Sequence, residues 1–260
     1  MSSVRTFVPA LESEARKFAS ARVGQVATAM LVVGIAAICA GMVMAAAKDD
    51  PQLAGKLALL HDPGGWAGYL TTASQISAVA GLLGFGVVLS WLVGREFAEG
   101  TITGLFALPV SRRAILAAKL AVYGGWVVAV AAVLVLALLG LGFAVALGPL
   151  GPDVVPLLLR QFLVTLLTGL LALPAALVAT LSRNVLAGVG TVLGLVVAAQ
   201  VAAIVGAGGW FPFAMPGIWS TSTTPAFAGA LPLQCALVLV VGTLCVVLAA
   251  DSWRRLQLDR

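Results

Sequence analysis

Six long apolar runs, separated by short polar or Gly- and Pro-marked breaks, occupy most of the chain: Val23–Ala47, Leu70–Val93, Ile115–Leu147, Val155–Leu181, Val185–Ala207 and Leu231–Ala250. Each reaches the length of about 20 residues that a helix needs to cross the hydrocarbon core of a bilayer. The pattern predicts an all-α, polytopic membrane protein with six transmembrane helices. The third run is long enough to tilt or to extend beyond the bilayer. The fourth holds Arg160 and Pro174; the proline predicts a kink whose freed carbonyl is satisfied by neighbouring helices.

Residues 1–22 have a different texture. Phe7, Leu11, Ala15 and Phe18 recur at helical spacing, Pro9 suits a helix start, and Glu12, Glu14, Arg16 and Lys17 fall on the other faces. This predicts an N-terminal amphipathic helix lying at the membrane interface. The expected division is therefore an interfacial helix over 1–22, a six-span domain over 23–250 and a tail over 251–260. The stretch "MAAAKDD" at Met44–Asp50 has the look of a signal cleavage site. The run before it, at about 25 residues, exceeds the 7–15 of a signal peptide's apolar region and reads as a retained span.

Composition agrees with the pattern. The chain is 61% hydrophobic and 10% charged, against about 25% charged in a soluble domain, so the surplus apolar surface faces lipid. The net charge of +5 does not mark a nucleic-acid binder, because the basic residues sit at the ends of the runs. With the N-terminus inside, twelve Lys and Arg fall on the inner side, and only Lys48, Lys56 and Arg160 on the outer. This bias sets orientation and makes both termini cytoplasmic. Loop 208–230 has no charge and carries Trp210, Phe211, Phe213, Trp219 and Phe227, which suits an interfacial or short re-entrant element.

Little in the chain carries chemistry. His61 is the sole histidine, and one imidazole makes no metal site. Cys39, Cys235 and Cys245 lie inside apolar runs and read as small buried hydrophobes. Asp50 and Leu57 stand where a phosphate-binding loop around Gly55-Lys56 would need Gly and Ser or Thr. The expectation is a protein that is not an enzyme, with no metal and no cofactor of its own. The runs hold no acidic residue, which counts against an ion-coupled carrier. Gln75, Thr165 and Gln200 are polar groups that could line a substrate path, although interhelical hydrogen bonding is the commoner role. Gly190-x-x-x-Gly194 permits close approach of another helix, and Gly81, Gly84 and Gly86 do likewise.

One charged stretch interrupts this apolar landscape. "REFAEGTITGLFALPVSRRAILAAK", from Arg95 to Lys119, joins the second and third runs. Its residues Arg95–Phe106 predict a helix with Glu96 and Glu99 in its first turn, where the dipole favours anions. Leu105, Phe106 and Leu108 give it an apolar patch, Pro109 ends it, and Ser111 is placed to cap the third span.

The stretch resembles the cytoplasmic loop between the second and third spans of the ABC-2 type permeases, the membrane subunits of bacterial ATP-driven exporters. Arg95, Glu96, Glu99, Gly100, Thr101, Pro109, Ser111, Arg112 and Lys119 match that family's pattern. "LSRNVLAGVGTVLGL" at Leu181–Leu195 is similar to its inner turn and fifth span. The resemblance implies a coupling helix in which Arg95, Glu96, Glu99, Gly100, Thr101, Leu105 and Phe106 contact an ATP-binding cassette subunit. It further implies two such subunits, which bind the ATP and Mg, and a second permease copy, for which Gly190 and Gly194 are the interface candidates. The setting would be the bacterial inner membrane. The neutral, aromatic outer loop leans towards an amphipathic or hydrophobic substrate. The alternative is a self-sufficient secondary transporter or channel built of two opposed three-span halves. Against it, the loop of about 22 residues in the first half has a counterpart of only three residues, 182–184.

Overall fold

The computed structural model describes residues 3–46, 65–102, 104, 110–221 and 225–255. Among these residues all regular structure is helical, and six helices are long and apolar enough to cross a membrane. Helix α1 covers Ser3–Ala19. The first span is α2 (Arg22–Ala29), a π-helical turn over Met30–Gly34 and α3 (Ile35–Ala46). The second and third spans are the unbroken helices α4 (Gly65–Ala98) and α5 (Arg112–Ala144). At 1.5 Å per residue each of these is about 50 Å long, well beyond a hydrocarbon core of about 30 Å. The fourth span is split into α6 (Val154–Leu171) and α7 (Leu173–Ser182). Helix α8 (Val185–Ile204) forms the fifth span. A 3₁₀ turn at Pro212–Ala214 leads into the short α9 (Met215–Thr221), and α10 (Pro225–Arg255) provides the sixth span. The end of the bundle that carries α1 is called basal below, and the opposite end distal.

Helix α4 is the axis of the bundle. It packs against α6, α7, α8, α9 and the first span, and small residues set how closely. Any side chain at Gly86 would strike Val192 of α8. A Cβ at Gly188 would stand 2.5 Å from the Ser90 hydroxyl and 2.9 Å from the Ala175 carbonyl. Without lipid-side competition from water, such close packing is the main attraction between spans. Polar groups add to it. Gln161, fully buried on α6, accepts from Ser74 Oγ at 2.7 Å and donates to Ser77 Oγ at 2.8 Å, joining the second and fourth spans.

The break at Pro174 has the expected cause. Proline lacks the N–H that would continue the ladder, so α6 stops at Leu171 and α7 restarts with Pro174 in its first turn. Beside the break the Gly169 carbonyl accepts from the Tyr123 hydroxyl of α5 at 2.8 Å. Ser111 caps α5, accepting from the Ala114 N–H at 3.2 Å. The three-residue link between α7 and α8 is a tight helix stop. The Asn184 and Arg183 N–H groups return to the Ala179 and Thr180 carbonyls, with Arg183 at φ 53°. Asn184 then caps α8 by accepting from the Leu186 N–H at 2.8 Å.

Two expectations from the sequence change here. The inward stripe of α1 is Phe7, Leu11, Glu14 and Phe18, not Phe7, Leu11, Ala15 and Phe18: Glu14 and Phe18 are buried and Ala15 is exposed. Helix α1 packs along α5 rather than standing apart from the bundle, and Phe18 meets Trp126 edge-on at 5.6 Å. Second, Arg95–Ala98 begins no new helix. Nothing between Leu70 and Ala98 breaks α4, and it stops only where Gly100 takes φ 67°.

Candidate functional site

The basal ends of α4 and α5 and the middle of α1 converge on a buried cluster of charge. Lys119, two turns inside α5, is wholly buried, and its ammonium donates to Glu14 Oε2 at 2.7 Å and Glu96 Oε1 at 2.9 Å. Lys17 adds a second ammonium 2.7 Å from Glu14 Oε1 and 3.9 Å from Glu96 Oε1. Two carboxylates thus alternate with two ammoniums. Buried charge is tolerated where it is paired in this way, and removing one partner strands the other. Burial pushes the Glu14 carboxyl up, but the Lys119 charge and hydrogen bond, reinforced by Lys17, outweigh it and hold the group below its ordinary value.

This cluster revises the part assigned to Glu96. It lies at the C-terminal end of α4, where the helix dipole disfavours an anion, and Lys119 and Lys17 supply the compensation. With 3% of its surface exposed, Glu96 is a tie inside the chain, not a surface contact for a partner. It also places an acidic residue within a spanning helix, against the expectation of none. Arg95 is half-buried, its guanidinium 4.8 Å from the centre of the Trp91 ring. Glu99, Gly100 and Thr101 are exposed just beyond the end of α4, and Ile102 turns back inside. Leu105 and Phe106 lie outside the described residues.

The polar residues chosen for a substrate path separate. Gln75 of α4 and Gln200 of α8 line one open, largely apolar cavity of about 630 Å³, to which the 3₁₀ turn and α9 contribute Phe213, Gly217 and Ile218. Helix α9 packs into the bundle against α4 and α6, with Met215 fully buried, and Gln234 Nε2 donates to the Gly209 carbonyl at 2.6 Å to hold the segment before it. Thr165 is elsewhere. It is sealed between α4 and α6, accepting from Gln161 Nε2 at 3.3 Å and donating to the Gln161 carbonyl at 2.9 Å. Gly190 and Gly194 are exposed on α8, and a Cβ at either meets nothing within 4 Å. The face of α8 turned to its own chain is that of Gly188 and Val192.

Glu14, Lys17 and Gln161 were not singled out as site residues from the sequence. A usable signal existed for the first: Lys119 stands in an apolar stretch that requires a buried counter-ion, and the chain has only four glutamates from which to choose.

A family model described as "ABC-2 family transporter protein" matches residues 26–200, which takes in most of the first span, the second to fourth spans with the segment between α4 and α5, and most of α8. No curated protein matches the chain.

Proposed function

This chain belongs to the ABC-2 family of transporter proteins, and from that membership we propose that it is the membrane-spanning permease subunit of an exporter driven by ATP hydrolysed on a separate subunit. The observation that carries the reading is how the charge cluster fastens the segment between the second and third spans. Glu96 precedes that segment by two residues of helix, Lys119 follows it, and their ion pair of 2.9 Å joins its two ends. Glu14 ties α1 to the same point at 2.7 Å. A push delivered to residues 99–111 is therefore transmitted to α1, α4 and α5 as one unit.

In this proposal Glu99, Gly100 and Thr101, with Leu105 and Phe106, present the surface that an ATP-binding cassette subunit engages, and Arg95 steadies its root. ATP and Mg are held by that subunit. The bias of twelve basic residues against three supports a cytoplasmic basal end with both termini inside, and the family's setting in bacterial exporters suggests the inner membrane of a bacterial cell. Two permease copies meet along the first and fifth spans, with Gly190 and Gly194 at the contact, and two ATPase subunits complete the complex. The cavity of Gln75 and Gln200 lies on the inward side of α8, and its apolar wall with two neutral amides favours an amphipathic or hydrophobic, uncharged substrate.

The test is reconstitution in proteoliposomes with the candidate ATPase subunit. The ATPase is expected to co-purify with the permease, and efflux of a lipophilic dye is expected to require ATP. Transport driven by an ion gradient with the ATPase absent would replace this reading with that of a secondary transporter.

A further inference from the structure

The two halves of the first span are held differently on either side of its π-helical turn. On the basal side α2 is fastened by polar contacts. Trp126 Nε1 donates to Thr28 Oγ1 at 2.8 Å, and Gln25 Nε2 donates to the Ala19 carbonyl at 3.1 Å. Gly24 lies so close to Phe18 that a Cβ there would stand 3.0 Å from the ring. On the distal side α3 packs on α4 and has Ile35 and Cys39 buried. Its side chains are apolar apart from Cys39, and among the described residues no side-chain hydrogen bond ties it to α4 or α5.

Two open grooves flank the turn. One, of about 680 Å³, separates the span from α4, with Val26, Met30 and Gly34 on one wall and Gly84 and Val87 on the other. The second, of about 490 Å³, separates it from α5, with Val33, Ala36 and Ala40 opposite Ala137, Gly140 and Ala144. The span therefore stands off α4 mainly on the basal side of the turn and off α5 on the distal side. It is seated at the crossing. Leu31 fills a socket at Gly84, where a Cβ would lie 2.9 Å from the leucine Cδ2, while a Cβ at Gly34 would meet nothing within 4 Å.

Segments that swing as units need a joint of a few residues and space to move into, since packed interiors leave none. The turn supplies the joint: its i→i+5 bonds take in one residue more than an α turn. The groove on α5 supplies the space. Its walls are Val, Leu, Ala and Gly only, and the small residues among them allow two backbones to approach. Lipid tails lying there are as apolar as the helix that displaces them, so no hydrophobic penalty opposes the exchange.

We propose that the π turn at Met30–Gly34 is a hinge: α2 stays fixed, and α3 swings about the Leu31–Gly84 contact from α4 towards α5, closing the groove between Ala40 and Ala144. The motion does not depend on the transport reading. On that reading it has a use. The groove beside α4 shares Ala80 and Leu83 with the cavity of Gln75 and Gln200, and withdrawal of α3 joins the two.

The test is disulfide formation between Ala40→Cys and Ala144→Cys in the full-length chain in phosphatidylcholine nanodiscs, with Cys39, Cys235 and Cys245 replaced by Ala. A disulfide needs Cβ atoms about 3.5–4.5 Å apart, and the two positions lie on opposite walls of the groove, so the bond forms through the swing. Oxidation is expected to link them within one chain, seen by mass spectrometry of the monomer band. Deleting Val33, which is 64% exposed, removes the extra residue of the turn and is expected to abolish the link. Gly140→Leu leaves the turn intact, fills the groove, and is expected to abolish it too. Gly124→Leu, on the same helix and equally without neighbours, is expected to leave it unchanged. Unchanged melting of each variant checks folding, and if the deletion melts early, Gly140→Leu against Gly124→Leu decides. Absence of the link in the parent chain would overturn the hinge. So would its persistence in the Val33 deletion or in Gly140→Leu, or an equal loss in Gly124→Leu.

Discussion

Replacing Lys119 by Met keeps the length of the side chain and removes its charge. Glu14 then retains Lys17 at 2.7 Å, but Glu96 is left with an ammonium 3.9 Å away on a side chain that is 36% exposed. Breaking a buried ion pair by removing one partner costs about 3–5 kcal/mol, and that is the expected loss of stability. Adding Glu96→Gln removes the stranded charge and should recover most of it. The assay is chemical unfolding in mixed micelles, followed by tryptophan fluorescence, since Trp126 sits against Phe18 and reports whether α1 is docked. A loss of less than about 1 kcal/mol, the range of a solvated pair, or no recovery in the double variant, would mean that water reaches the cluster and that it does not behave as a buried ionic tie.

Glu99→Lys should leave folding intact and weaken capture of the ATPase subunit in a pull-down, whereas Glu96→Lys should unfold the basal end, because it places a third ammonium against Lys119; equal behaviour of the two would remove the distinction drawn between them. Leu at both Gly190 and Gly194 should weaken self-association in crosslinking while the monomer melts as before, since neither site meets its own chain, and Gly188→Leu should unfold it. The lowered Glu14 value fixes the sign of a pH effect: its contribution is complete above the ordinary value of 4.5 and is lost as pH falls through the depressed one. Proteolysis at the junction of α1 and α2 should thus be unchanged between pH 8 and 5 and rise only below 4.5.

How much of this was legible in the sequence divides by range. The six spans, the Ser111 cap and the break at Pro174 follow from runs and residue types within a few positions of one another, and local chemistry decides them. The cluster does not. Glu14 and Lys119 are 105 positions apart, and no local pattern announces the pairing. The stripe of α1 was misjudged by one residue because Ala15 is the more apolar choice, and ion pairing overrode apolarity to turn Glu14 inward. The end of α4 was misjudged for a related reason: charge at Arg95 and Glu96 reads as the edge of a membrane span, yet a helix has no need to stop where the bilayer does. Thr165 and Gln200 are both lone polar groups in apolar runs, and only the packing of α6 against α4 separates a sealed hydroxyl from an amide that faces a cavity.

The charge cluster also imposes an order on the making of the protein. Glu14 leaves the ribosome 105 residues before its fully buried partner Lys119, an interval of about 5–20 s at ordinary elongation rates. Until the third span is delivered, α1 has no buried seat, and a chain cut short before Lys119 carries two carboxylates without the buried ammonium that joins them. Docking of α1 therefore records that three spans have been inserted. Nascent chains arrested shortly before and after residue 119 should differ in how readily a protease removes α1.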